Sequence, residues 1–504
     1  MMNDAWWDGR DEAEGLRAGG VRLGEILPQA RFLVCDDITA HGCHDDPRRC
    51  GPGDLFVARL TAHGDGHDLV AQALKRGVAG VVAERMVPTF GTPLCLVPDS
   101  AWAQARIHQA LAGDPAAGLK VIAITGTSGK TTTAWLVASV LAEAGLQVGV
   151  LSDLGCLDAD STVPQPADLE QPRELAAWLA RLVASGCTHA VIEVSSTMLA
   201  NQALAGVTCD TVVVTSIATA HAESHGTTAA YRAIKGRILE SLAPDGVLIA
   251  NTDDQRVAAL ALARAKAPPR RCGATITVGL SSGADVSATP VERSLGGQTF
   301  LLRAGGHIAP VAVATPVASF VRNSLAAAAV GLRMGAGLEV IARGLEAAGS
   351  VSGRLERISR GQDGQVFIDI PTSGHALAST LGSLRRLTAG RLVLIADEDQ
   401  ARRLGGKRQF VLRAARWCDE SLVVPAGVLD EGAGSRELAA YARIDRLLSQ
   451  VGPHDCVLVI GSRPQPAGDP GDPGEPQFPL AGLVDSWLQL AHPPVAPFRG
   501  RRVA

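Results

Sequence analysis

Short apolar runs recur along this chain, each ending at a glycine, a serine or an acid and each followed by residues at helical spacing. Between about Val21 and Gly113 the runs "DLFVARL", "GVAGVVAE" and "PLCLVP" alternate with stretches such as "HDLVAQALKRG", which predicts a small α/β unit. "VIAIT" is then a β-branched run that stops at Gly126, a buried strand feeding a helix. The alternation continues through "LQVGVLSD", "HAVIEVSS", "CDTVVVTS" and "GVLIANTDD", and a doubly wound parallel sheet accounts for it most simply. The helices "NSLAAAAVGLRMG" and "GLEVIARGLEAAGS" close this central unit near Ser350. A third α/β unit opens at "SGRLERI" and carries the strands "GQVFIDI", "RLVLIAD", "ESLVVPA" and "DCVLVIG". The expected division is a tail over 1–20 and α/β units over 21–115, 116–350 and 351–504, the last Rossmann-like. "RPQPAGDPGDPGEPQFP" (Arg463 to Pro479) cannot pack and reads as a mobile loop. No internal repeat is visible.

Composition narrows the partners. With 46% hydrophobic and 19% charged residues, the 504-residue chain can bury several cores. The net charge of −4 gives no reason to expect nucleic acid. The acidic start "MMNDAWWDGRDEAEG" has no apolar core and is not a secretory signal, and no apolar stretch is long enough to span a membrane. The ten cysteines are scattered without a CxxC pair, as suits reduced thiols in the cytoplasm. "HGCHDDPRRC" (His41 to Cys50) has metal-ligand residue types but no second half-site. A monomer is expected. Of 47 basic residues only six are lysine (Lys75, Lys120, Lys130, Lys235, Lys266 and Lys407), so a lysine here can mark a place where arginine does not serve.

The chemistry starts at "ITGTSGKTTTAW". Gly126 and Gly129 let backbone N–H groups turn toward phosphate oxygens. Lys130 can reach the β- and γ-phosphates, and Thr131 offers a hydroxyl to Mg²⁺. The strict GxxxxGK[ST] pattern fails because Ile124 stands at its first glycine, yet a strand precedes the turn and a helix follows it. ATP binding is therefore expected over Gly126, Thr127, Ser128, Gly129, Lys130, Thr131 and Thr132. Glu193 emerges from "AVIEVSS" where parallel sheets place ligands, and would complete a metal site.

"TGTSGKTTT", "EVSS", "HGTTAAYRAIKGRIL" and "NTDD" together resemble the Mur ligases, in particular those that add the third residue of the peptidoglycan stem peptide to UDP-MurNAc-L-Ala-D-Glu. The resemblance covers most of the chain. It implies three domains with a central P-loop sheet, and ATP-driven amide formation through an acyl phosphate. By the same resemblance Lys130 and Thr131 hold phosphate and metal, and Glu193 and His221 ligate Mg²⁺. Tyr231 and Lys235 match a Tyr-x-x-x-Lys turn whose lysine is carbamylated, a modification arginine cannot undergo. Asn251, Asp254, Asn323, Arg354 and Asp369 match nucleotide-side positions. Ser195, Ser196, Lys407 and Arg408 match substrate-side ones.

The pattern breaks in places. Ser216 stands at a usual asparagine, Ala220 at the aspartate that normally precedes His221, and Thr197 at a usual histidine. Pro47 replaces the serine of the uridine site, whose contacts are therefore left unassigned. "IDIPTSGHALAST" keeps only Asp369 and the Ala376-Leu377 end of its motif. The Asp-Asn-Pro-Arg element that grips diaminopimelate is absent, and a later Gly-Lys-Gly-His-Glu element is reduced to "GSRPQ", so the acceptor amino acid is left open. The alternatives are a working ligase with an altered acceptor, using Glu223 in the metal loop, and a non-catalytic paralogue that binds nucleotide as sensor or scaffold. Another amide ligase of the superfamily, of the folylpolyglutamate type, and a kinase-like NTPase fit less of the chain.

Overall fold

The computed structural model describes residues 20–61, 64–158, 170–217, 228–266, 273–281, 283–424 and 435–461, with Leu480, Val484 and Leu488. Three large sheets follow one another along it. The first contains β1 (Arg31–Leu33), β2 (Gly42–His44), β3 (Asp54–Val57), β4 (Gly80–Ala83) and β5 (Leu94–Leu96), in the order β1-β5-β4-β3-β2. β2 to β5 are mutually parallel, and their apolar runs are buried because a core lies on each face. Helix α1 (Ser100–Leu111) follows, started by the Asp99 carboxylate, which accepts from Trp102 N.

The central sheet has ten strands: β6 (Lys120–Thr125), β7 (Val148–Ser152), β8 (Gly155–Leu157), β9 (His189–Glu193), β10 (Cys209–Val214), β11 (Leu242–Asn251), β12 (Thr275–Gly279), β13 (Val286–Ser294), β14 (Gly297–Ala304) and β15 (His307–Val313). Their order is β8-β7-β9-β6-β10-β11-β12-β13-β14-β15. From β7 to β13 the pairing is parallel, as the repeated apolar runs predict. Successive residues serve opposite cores, Ile122, Ile124 and Val213 on one face and Val121, Ala123 and Val212 on the other. The helices of this unit include α2 (Lys130–Glu143), α3 (Pro172–Ala184), α4 (Thr228–Gly236), α5 (Gln255–Ala265) and α6 (Ala318–Arg333). Another, α7 (Leu338–Ala347), packs on α2 and β15.

The antiparallel extension β13-β14-β15 is not anticipated by the purely parallel reading. β14 and β15 bury one face only; in β15, Ala309, Val311 and Val313 are inside while Ile308, Pro310 and Ala312 are outside. At the open edge Ala312 N donates to Glu346 Oε1 of α7 at 2.9 Å.

The third sheet has β16 (Glu356–Ile358), β17 (Gln365–Asp369), β18 (Leu392–Asp397), β19 (Glu420–Val424) and β20 (Cys456–Ile460), in the order β16-β17-β20-β18-β19. All but β16 are parallel. Helices α8 (Gly374–Leu387) and α9 (Lys407–Ala414) flank it. One apolar cluster joins the central and third sheets, running from Ile124 and Phe320 to Phe367, Leu394 and Phe410. Among the described residues no helix is long and apolar enough to cross a membrane. The Pro/Gly-rich stretch after Gly461 lies outside the described residues.

Candidate functional site

Parallel strands present ligands at their carboxyl ends, and the register gathers three such ends. Ile124 of β6 lies beside Glu193 of β9, and Thr125 beside Val214 of β10. The loop Gly126–Gly129 leaves β6 at this level and α2 starts at Lys130. Close approach explains both glycines. A Cβ at Gly126 would meet Thr215 Oγ1 at 2.0 Å, and one at Gly129, where φ is +85°, would meet Asn323 Oδ1 at 2.5 Å. The loop is braced from behind: Thr127 N donates to Ser216 O at 2.9 Å, Ser128 N to Ser216 Oγ at 3.1 Å, and Thr215 Oγ1 to Ser128 O at 2.7 Å. That leaves the first turn of α2, Lys130 to Thr132, as a helix start whose N–H groups have no intrahelical acceptor, a ready phosphate seat.

Behind the seat lies a buried carboxylate. Glu193 is 1% exposed; its Oε2 accepts from Asp153 N at 3.0 Å, while Oε1 takes no hydrogen bond and stands 3.4 Å from Lys130 Nζ. Burial pushes this carboxyl above the usual range, and Lys130 opposes the rise. Lys235 of α4 is equally enclosed at 2% exposure. Its Nζ donates to Thr125 Oγ1 at 3.0 Å and lies 5.7 Å from the ring centroid of Tyr231, one helical turn earlier. Tyr231 Oη is 3.1 Å from Thr127 Oγ1, so this helix also touches the loop. Burial first, and then the charge on Lys130, bring the Lys235 amine down to about 7. The hard oxygens of Thr131 and Glu193, one of them orphaned, suit Mg²⁺, which commonly takes one or two carboxylates and completes its shell with substrate phosphates.

The Mur ligase middle-domain family matches residues 124–331, from the strand that leads into this loop to α6. The UDP-N-acetylmuramoyl-L-alanyl-D-glutamate–2,6-diaminopimelate ligase of Geobacter sulfurreducens is 33% identical over 391 residues, covering 74% of each chain. The enzyme of that name from Chlorobium phaeobacteroides is 32% identical over 359 residues, 69% of this chain and 70% of its own. The chain belongs to the Mur ligase family. A solved UDP-N-acetylmuramoyl-L-alanyl-D-glutamate–2,6-diaminopimelate ligase shares the fold at a TM-score of 0.68 and 21% identity, over 94% of this chain and 99% of that one. Mur ligases are ATP-dependent carbon–nitrogen ligases.

In this Mur ligase the remaining expected residues sort into those that face the seat and those that hold its frame. Arg354 reaches from the third unit to the loop: Nη2 donates to Thr131 Oγ1 at 3.0 Å and stands 3.7 Å from Asp153 Oδ2, while Nη1 donates to Ile370 O at 2.5 Å. Asp369, at the end of β17, accepts from Leu355 N at 3.1 Å and from Thr380 Oγ1 at 3.3 Å, fixing the backbone beside Arg354; burial raises its carboxyl and Arg354 opposes this. Asn251 Nδ2 donates to Thr215 O at 2.8 Å. Asp254 Oδ2 accepts from Ile217 N at 3.0 Å, and Oδ1 caps α5 through Arg256 N at 2.9 Å. These two residues hold the 215–217 segment that braces the loop. Ser195 accepts from Met198 N at 3.0 Å to start the short helix Ser196–Ala200, with Ser196 half-buried beside it. Lys407 and Arg408 open α9, both exposed, with Lys407 Nζ 3.8 Å from Glu398 Oε1. His221, Glu223 and His225 lie outside the described residues, and among those described no three His, Cys, Asp or Glu side chains converge on a metal position.

Two features escape the sequence reading. Asp153 is one: Leu151 of β7 lies beside Ile192 of β9, so Asp153 leaves its strand at the level of Glu193. The rule that picked out Glu193 applies to it equally. The other is a cluster of basic side chains at the carboxyl edge of the first sheet. Arg59 follows β3, donates Nη1 to Gln104 Oε1 of α1 at 2.7 Å and stands 3.4 Å from Asp45 Oδ2, while its Nε is buried without an acceptor. His108, one turn beyond Gln104, is brought down to about 3 by burial and then by neighbouring His44, Arg173, Arg49 and Arg59. Arg173 comes from α3, so the cluster draws on both the first and the central units.

Proposed function

We propose that this Mur ligase joins an amino acid to UDP-MurNAc-L-Ala-D-Glu at the expense of ATP. The observation that carries the reading is the set gathered at one sheet edge: loop, Lys130, Glu193 and a lysine whose amine burial brings down to about 7. ATP lies with its phosphates on the first turn of α2, and Lys130 moves from Glu193 to the β- and γ-phosphates. Thr131 and Glu193 would hold Mg²⁺, which would offset charge on the phosphates and on the substrate carboxylate. The γ-phosphoryl group passes to that carboxylate and the amine of the acceptor displaces phosphate, so enclosure by the three units must keep water away. Lys235 is poised for carbamylation: its nitrogen lone pair attacks CO₂, the proton leaves to solvent, and an anion replaces an amine. The basic side chains Arg59, Arg49 and Arg173, with Asp45 paired to Arg59, support binding of an anionic nucleotide sugar between the first and central units. A cytoplasmic location fits the scattered free thiols, and we read the chain as a monomer. The acceptor amino acid is left open, because the Asp-Asn-Pro-Arg element that grips diaminopimelate is absent.

The test is ADP release from purified protein with Mg²⁺, ATP, bicarbonate, UDP-MurNAc-L-Ala-D-Glu and a pool of amino acids, with mass spectrometry of the nucleotide product. Release that needs one amino acid, with a matching mass gain, establishes the ligase and names its acceptor. Saturable nucleotide binding without turnover would instead favour the sensor or scaffold, in keeping with Ala220 at the usual aspartate of the metal loop.

A further inference from the structure

We propose that Asp153 is a ligand of the divalent cation, supplying a second carboxylate beside Glu193 and the Thr131 hydroxyl. The inference rests on the reading of this edge as a metal–nucleotide site. Three observations carry it. First, Asp153 and Glu193 are tied together: Asp153 N donates to Glu193 Oε2 at 3.0 Å, which turns the free Oε1 toward Lys130, and Asp153 follows directly on a strand end level with Glu193. Second, a cationic group already lies between the two proposed donors. Arg354 Nη2 donates to Thr131 Oγ1 at 3.0 Å and stands 3.7 Å from Asp153 Oδ2, so one nitrogen is shared by the hydroxyl and the carboxylate. Third, Glu193 is almost wholly buried, and its Oε1 makes no hydrogen bond but faces Lys130 Nζ at 3.4 Å, so the place is built to hold positive charge.

The chemistry of the donors is consistent. Magnesium is held by one or two carboxylates together with substrate phosphates rather than by a full protein cage. Glu193 alone is fixed by burial, whereas the Asp153 side chain is 42% exposed, and among the described residues its carboxylate has no ion-pair or hydrogen-bond partner except Arg354. It is therefore free to change rotamer and exchange the guanidinium for a metal.

The test is a Mn²⁺ titration of the full chain with a non-hydrolysable ATP analogue, read from the free-ion signal by electron paramagnetic resonance. Four substitutions are compared with the wild type: Asp153→Asn, Asp153→Thr, Asp153→Glu and Glu193→Gln. Binding of a fluorescent ADP in excess EDTA reports whether each variant keeps its nucleotide seat. The expected result is a Kd for Mn²⁺ raised at least about tenfold in Asp153→Asn and Asp153→Thr, with metal-free nucleotide binding unchanged and Asp153→Glu close to wild type. Wild-type Mn²⁺ affinity in both neutral variants, with loss in Glu193→Gln, would overturn the role of Asp153 and leave the metal site standing. If Glu193→Gln also binds as wild type, the metal-site reading falls together with the proposal.

Discussion

Replacing Lys235 with methionine isolates what it costs to bury an amine in this site. The side chain is 2% exposed, and its amine is lowered from 10.5 to about 7, chiefly by burial and then by Lys130. At about 1.36 kcal/mol per unit of displacement, holding the charged form in the fold costs up to about 5 kcal/mol. Between pH 7 and 10.5 the unfolded chain binds a proton there that the folded chain does not, so wild-type stability rises with pH across this window. Below pH 7 both states are protonated and the full cost is carried. Methionine has the length but no charge, so Lys235→Met should be more stable than wild type at pH 6.5, and the gap should shrink by about 2–3 kcal/mol by pH 9. A chain of this length melting as one unit moves by about 1 °C per kcal/mol, so the gap in Tm closes by about 2–3 °C. The assay is calorimetric melting of both proteins in CO₂-free buffer over that range. Adding ¹³C-bicarbonate should then raise the wild-type Tm above pH 7 and give a carbamate carbon signal, with neither change in Lys235→Met. A Tm gap that is the same at every pH would refute the desolvated amine.

Lys130→Ala should abolish ATP turnover while leaving Glu193 without its cation, visible as loss of ADP release in the ligase assay. Gly129→Ala forces a Cβ to within 2.5 Å of Asn323 Oδ1 in a left-handed backbone conformation, and should weaken fluorescent-ADP binding by at least about tenfold, or about 1.4 kcal/mol. Asp254→Ala removes the cap of α5 and the tether to Ile217, costing about 1–2 kcal/mol in denaturant unfolding and speeding hydrogen exchange at Thr127 and Ser128.

Much of the fold was legible because a strand buried on both faces leaves an apolar run with a sharp end. "VIAIT", "AVIEV" and "VLVI" became β6, β9 and β20 for that reason. The extension β13 to β15 was missed because one-sided burial leaves alternation, and "HIAPVAV" also contains a proline that argues against a strand interior. In the site, Lys130, Glu193 and Lys235 could be read from motif and spacing, and the geometry brings them together. Asp254 shows the limit of a motif: in the ligand-free chain both its oxygens are committed to backbone N–H groups, which no residue count reveals. Asp153 and Arg59 were missed because each matters through a neighbour distant in sequence, Glu193 in one case and Gln104 in the other.

The outer edge of β15 bears on how the protein behaves at high concentration. In an antiparallel ladder the N–H groups point alternately inward and outward, and Ala312 fixes the outward set as residues 308, 310 and 312. Proline has no N–H at 310, and the N–H of 312 is occupied by Glu346, so Ile308 alone presents a donor to an incoming strand. A ten-stranded sheet could otherwise nucleate stacking of one chain on the next. Here its exposed margin is chemically blunt, so the chain resists growth into fibrils from that side.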